Sequence, residues 1–195
     1  MTDGSAGPAP GARMNSRTRG DDPTGIDAAR AQALAERCHG GQRDEHGGLL
    51  LDHIRRVVSA VSATARGTGW LHEVFRYTSI SEEALLAEGL SLDELRALRL
   101  LAHGADARSN RTYLAYVDLI ARAGGPGAGI AQTVKRADLA DRVLHRAIRA
   151  DGWSPPYELG LDLLRRHPGV HRHSVITTDR ERVIPGRTEG SPRDL

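Results

Sequence analysis

Asp52-His53-Ile54-Arg55-Arg56-Val57-Val58-Ser59-Ala60-Val61-Ser62-Ala63 decides the fold. Ile54, Val57, Val58 and Val61 recur at i, i+3, i+4 and i+7, one face of an α-helix rather than the alternation of a strand. Outward from this run the pattern stays helical. Residues 26–39 carry helix formers after a Pro-Thr-Gly entry. A third helix is expected over 65–76 with Leu71, Val74 and Phe75 inward, although Gly67 and Gly69 weaken its start. Ser81 ahead of Glu82 and Glu83 reads as an N-cap. Ser91 and Glu94 read as a capping box before Leu95, Leu98 and Leu101. Residues 112–123 form another amphipathic segment, closed by Gly124-Gly125-Pro126. The longest helix is expected over 128–150, with Ile130, Val134, Ala137, Leu144 and Ile148 inward and Asp151-Gly152 as its stop. A short helix over 157–167 precedes Pro168. The one β-like patch, Val175-Ile176-Thr177, is weak. The expected fold is all-α, a compact helical bundle.

Composition agrees. Hydrophobic residues make up 39% of the 195 and aromatics 4%, so the core must be aliphatic, which suits packed helices. Residues 1–25 are rich in Gly, Pro, Ser and charge and poor in large apolar side chains; they are expected to be disordered. The same holds for a flexible tail over 169–195. The helical domain is expected over 26–168. The net charge of +2 comes from acids and bases interleaved along the helices, and aromatics for base stacking are scarce, which argues against nucleic acid. No stretch reaches the ~20 apolar residues of a membrane span, and no secretory signal is evident. The single cysteine, Cys38, excludes an internal disulfide and a Cys-rich zinc site. Together these features predict a cytoplasmic protein.

Several polar residues stand beside the apolar stripes. His53 opens the stripe of its helix. His72 and Glu73 are embedded in Trp70-Leu71-His72-Glu73-Val74-Phe75. Asp138 lies at the border of the long helix's stripe, and Asp141 nearer its centre. Imidazoles and carboxylates next to a core are costly unless paired or metal-bound. Two of each from three helices can form one mixed nitrogen and oxygen site for Mn²⁺, Fe²⁺ or Zn²⁺. On spacing alone each residue also has a plain structural reading, a hydrogen-bonded His or an Asp paired with arginine.

The order of these residues resembles the His-Asp (HD) superfamily, specifically the (p)ppGpp pyrophosphohydrolase domain of stringent-response alarmone enzymes and their small stand-alone relatives. Cys38-His39-Gly40-Gly41-Gln42-Arg43-Asp44-Glu45-His46-Gly47-Gly48-Leu49-Leu50-Leu51-Asp52-His53 follows the family's Ala-His-x-Gly-Gln to x-His-Pro layout without a gap. Leu71-His72-Glu73-Val74-Phe75-Arg76-Tyr77-Thr78 is similar to its Leu-His-Asp-x-x-Glu-Asp-Thr. Lys135-Arg136-Ala137-Asp138-Leu139-Ala140-Asp141 is similar to its late Lys-x-Ala-Asp-Leu-Ala-Asp. The resemblance covers residues 29–150. It implies an HD-type bundle with His53, His72, Glu73 and Asp138 as metal ligands and Mn²⁺ as the ion. It also implies that Lys135 and Asp141 support the site from behind the ligands, and that Arg43 lies near a nucleotide-contacting position.

This sequence departs from the pattern at defined places. The dyad is His72-Glu73, one methylene longer than His-Asp. The family's Glu-Asp pair, which handles protons, is Arg76-Tyr77; arginine cannot act as a base, and loss of general acid–base help is worth ~10²–10⁴ in rate. Arg142 replaces an Asn, Ile54 a Pro, and Leu49-Leu50 a Pro-Tyr. Two expectations follow. One is a divergent metal-dependent phosphohydrolase acting on a nucleotide phosphate ester or pyrophosphate, with Arg76 catalytic and Arg142 binding substrate as phosphate clamps. The other is a catalytically impaired relative that binds a ligand or a protein partner.

Overall fold

Asp27 starts the first helix, its carboxylate accepting from the backbone N–H groups of Ala29 and Arg30. The computed structural model describes residues 25–44, 47–102, 108–145 and 154–167. Their order is α1 (Ala28–His39), α2 (Leu50–Ser59), a 3₁₀ turn (Ala63–Ala65), α3 (Arg66–Leu71), α4 (Val74–Tyr77), α5 (Glu82–Ala87), α6 (Leu92–Ala102), α7 (Asn110–Arg122), α8 (Ala128–Leu144) and α9 (Tyr157–Arg166). Among the described residues the β-structure is one isolated antiparallel bridge, Arg43 to Leu49. The fold is an all-α bundle. The expected disordered segment, apart from Gly25, the C-terminal tail with Val175-Ile176-Thr177, and residues 146–152, where Ile148 and the Asp151-Gly152 stop were expected, lie outside the described residues; the long helix, expected to 150, ends at Leu144 with His145 as its cap.

Two apolar clusters make the core. One joins Leu34 of α1, Ile54 and Val58 of α2, Leu71 of α3 and Leu98 of α6. The other joins Val57 of α2, Leu101 of α6, Val117 and Ile120 of α7, Val134 and Leu139 of α8 and Leu164 of α9. Each such aliphatic side chain contributes roughly 1.5–3 kcal/mol by leaving water. Helices α2 and α6 send residues into both clusters. The backbone of α2 thus runs between them, and His53 stands on it beside Ile54.

The Ser91–Glu94 box forms as expected. Glu94 N–H donates to Ser91 Oγ at 3.2 Å, and Ser91 N–H donates to Glu94 Oε2 at 2.9 Å. The same oxygen accepts Ile26 N–H at 3.0 Å, tying the entry of α1 to α6. Gly67, which weakened the third helix on paper, is required here. A Cβ at this position would stand 2.6 Å from Ile26 Cγ2 and 2.9 Å from Glu94 Oε1.

Four expectations need correction. The helix read over 52–63 ends at Ser59, and Val61, though buried, lies past its Ala60 cap and before the 3₁₀ turn. The helix expected over 65–76 is broken at His72-Glu73 into α3 and α4. The His72 ring Nδ1–H donates to the Gly69 carbonyl at 2.7 Å and competes there with the backbone ladder. Leu144 is exposed rather than inward. Val134 and Ala137 are buried as expected and Ile130 packs partly on the core, but the stripe is centred on Ala131, Lys135, Asp138 and Arg142, at i, i+4, i+7 and i+11. The order of the two aspartates is reversed as well: Asp138 lies on this stripe at 3% exposure, and Asp141 beside it at 7%.

Candidate metal centre

His53 on α2, His72 and Glu73 in the turn between α3 and α4, and Asp138 on α8 converge. One donor atom from each lies within 4.8 Å of all the others, and all four side chains are buried. The His53 Nε2–Asp138 Oδ1 distance is 3.3 Å, His53 Nε2–Glu73 Oε1 is 3.7 Å and His72 Nε2–Glu73 Oε1 is 3.8 Å. Donors about 2.0–2.2 Å from a shared tetrahedral ion are separated by about 3.3–3.6 Å. The group can therefore hold a divalent cation.

The local structure aims the donors. The break after Leu71 turns both His72 and Glu73 inward; on an unbroken helix, adjacent residues point about 100° apart. Lone-pair direction is set from behind. His53 Nδ1 meets Asp141 Oδ2 at 2.7 Å, and His72 Nδ1 meets the Gly69 carbonyl at 2.7 Å. Both acceptors require N–H at Nδ1, which leaves the two Nε2 atoms to face each other at 3.2 Å. Two imidazole lone pairs at that distance need a proton or a cation between them. A carboxylate or carbonyl behind each ring is the usual setting of a metal-binding histidine.

Charge around the cluster is nearly balanced by neighbours. Arg142 Nε donates to Asp138 Oδ1 at 2.6 Å, and its Nη2 donates to Glu73 Oε1 at 2.6 Å. Lys135 Nζ donates to Asp138 Oδ2 at 2.7 Å and stacks 5.0 Å from the Tyr116 ring centroid. Burial works against ionising Asp138, but Arg142 and Lys135 outweigh it and hold the carboxyl well below the usual range. The same contest, with Arg142 foremost among the cations, leaves Glu73 ionised. Burial drives His72 down to about 4, so its ring stays neutral. Burial disfavours the ammonium of Lys135, yet Asp138 and the two tyrosines keep it charged.

The remaining expected residues fall as follows. Asp141 sits behind His53 and takes a two-pronged ion pair from Arg56, at 2.6 and 3.1 Å. Arg142, expected at a substrate, is buried against two of the ligands. Arg76 is half-buried on α4, its guanidinium 5.4 Å from the Tyr77 ring centroid, and its charge helps to depress Glu73. Arg43 is exposed and donates to the Gly47 carbonyl at 2.6 Å. Arg56 was missed by the sequence reading, although it shares the His53 face three residues on; His145, four residues after Asp141, was missed likewise and lies 3.0 Å from its Oδ1.

A cleft of about 20 Å³ reaches His53 of the cluster and is lined also by Asp44, Arg56, Asp141, Arg142, His145 and Tyr157. A larger cavity of about 720 Å³ at the start of α8, lined by Gly125, Gly127, Gln132 and Thr133 among others, touches none of the four candidate ligands. Among the described residues no helix is long and apolar enough to cross a membrane. No family model matches the chain, and no curated protein matches it.

Proposed function

We propose that this chain is a divergent HD-type domain that binds one divalent metal, Mn²⁺ by family preference, through His53, His72, Glu73 and Asp138. The reaction proposed is hydrolysis of a phosphate ester or pyrophosphate of a small nucleotide, (p)ppGpp-like, in the cytoplasm. The observation that carries this reading is the pair of Nε2 atoms at 3.2 Å, each ring fixed by an acceptor behind its Nδ1. A proton on His53, opposed by burial and Arg142 but favoured by Asp138 and Asp141, also bridges the two nitrogens; the metal reading is supported by the two carboxylates that converge on the same point.

When bound, a divalent cation supplies Lewis-acid polarisation of a phosphate oxygen and a nucleophile at neutral pH. The chain's own residues do the positioning. Asp141 fixes the ring plane of His53, and Arg56 keeps Asp141 ionised: its carboxyl, opposed by burial, is held below the ordinary range by hydrogen bonds from His53 and Arg56. Lys135 orients Asp138 through its second oxygen. Arg56 and Arg142 bring positive charge to the cleft, which at about 20 Å³ has room for one water, so a phosphate is received only as the cleft widens. Arg76 adds charge from α4 but cannot accept a proton, so proton transfer is the weak part of this site.

A second reading is favoured by one observation. The Arg142 guanidinium already pairs with Glu73 and Asp138, as it would in a domain kept for binding a ligand or a partner rather than for turnover. Nucleotides including (p)ppGpp, screened with Mn²⁺ against a His72→Ala control, separate the two. Turnover well above the control supports the enzyme. Turnover equal to the control supports the binding domain.

A further inference from the structure

Arg142 touches the cluster through the same atoms that would face a metal. Its Nε contacts Asp138 Oδ1, the oxygen 3.3 Å from His53 Nε2. Its Nη2 contacts Glu73 Oε1, the oxygen nearest both histidines, and lies 3.5 Å from His53 Nε2 itself. Asp138 Oδ2 is taken by Lys135, so Oδ1 is the oxygen left to turn toward an ion. Arg142 also lines the cleft, together with Arg56, His145 and Tyr157. A guanidinium in that place does for two buried carboxylates what a cation would do: it compensates charge that burial otherwise penalises.

We infer that Arg142 is an internal competitor for the cation: metal enters the cluster only as this guanidinium leaves Glu73 and Asp138. The inference rests on the metal-binding reading above and adds a gate to it. Metal affinity is set by the difference between two compensated states, not by the ligands alone. The arrangement follows from phase on α8. Arg142 is one turn beyond Asp138 on the buried stripe, so its side chain reaches the carboxylate of its own helix first and the turn residue Glu73 second.

The test is Mn²⁺ binding, read by electron paramagnetic resonance of the free ion, in wild type, Arg142→Ala and His72→Ala. Arg142→Ala is expected to bind Mn²⁺ at least about ten-fold more tightly than wild type, since no guanidinium has to be displaced. Its melting temperature is expected to lie below wild type without metal and to rise further than wild type when Mn²⁺ is added. Guanidinium chloride at non-denaturing, millimolar concentration is expected to weaken Mn²⁺ binding in Arg142→Ala and leave wild type unchanged. A merely structural arginine would not produce that competition. If Mn²⁺ binds wild type and Arg142→Ala equally, or the variant more weakly, the gate is refuted while the metal site stands. If neither binds, both are refuted. Should Arg142→Ala not fold, the wild type decides. Its Arg142 Nε–H resonance, held against Asp138, is expected to shift when Zn²⁺ binds. An unmoved resonance with Zn²⁺ bound overturns the gate.

Discussion

Asp141 Oδ2 lies 2.7 Å from Nδ1 of His53, across the interface between α8 and α2, and the same carboxylate is gripped by Arg56. Neither Asp141 nor Arg56 belongs to the set of four that can surround an ion, yet the pair decides which nitrogen of His53 keeps a lone pair toward that set. Asp141→Asn is therefore expected to lower Mn²⁺ affinity by about 10- to 100-fold while the helical circular dichroism is retained. An affinity within two-fold of wild type contradicts this role.

Acid should reveal the same carboxylate. In the folded chain its pKa lies below the unfolded value of about 3.9. The stability it contributes is therefore complete above that value and drains away as pH falls toward the folded one. Urea melts taken between about pH 5 and pH 2 are expected to lose stability more steeply in wild type than in Asp141→Asn. Parallel loss in the two proteins would show that Asp141 carries no such linkage.

Glu94 is the structural counterpart, remote from any chemistry. Its Oε2 receives Ile26 N–H, Ser91 N–H and the Ser91 hydroxyl. Glu94→Ala should cost about 2–4 kcal/mol in chemical denaturation, because a buried N–H at Ile26 loses its acceptor along with the cap. Glu94→Gln, which keeps an acceptor, should cost less. Equal losses would mean that packing, not hydrogen bonding, holds this corner.

Arg76 and Tyr77 stand where the resembled family carries its proton-handling pair. On the proposed hydrolase reading, the double variant Arg76→Glu, Tyr77→Asp is expected to raise turnover with Mn²⁺ by about 10²-fold or more, the help that general acid–base catalysis supplies. Unchanged or lower turnover, with metal binding intact, would show that the two residues have a role of their own.

Much of the bundle was legible in the sequence because its signals are local. The capping box at Ser91, the aliphatic period of 54–61 and the closing Gly124-Gly125-Pro126 each act within a turn or two. The break at His72 was not legible, because a ring nitrogen bonded to Gly69 leaves no trace in periodicity. The phase of α8 was misjudged for a related reason. Lys135, Asp138 and Arg142 occupy core positions as mutually paired charges, and a search for apolar side chains slides past them to Leu144. The four candidate ligands stood out with Asp141 as polar residues beside apolar ones, and only the family resemblance separated the four from Asp141. Arg56 did not stand out, since its meaning comes only from Asp141 across the bundle, and His145, one turn after Asp141 on the same helix, gains its meaning only once Asp141 is placed behind His53.

The central claim is that His53, His72, Glu73 and Asp138 bind one divalent ion together. Metal analysis of the purified chain after loading with Mn²⁺ and desalting tests it most directly, alongside a folded His72→Ala protein. One equivalent of Mn²⁺ in wild type and almost none in the variant is the predicted result; equal metal content in the two proteins would contradict it.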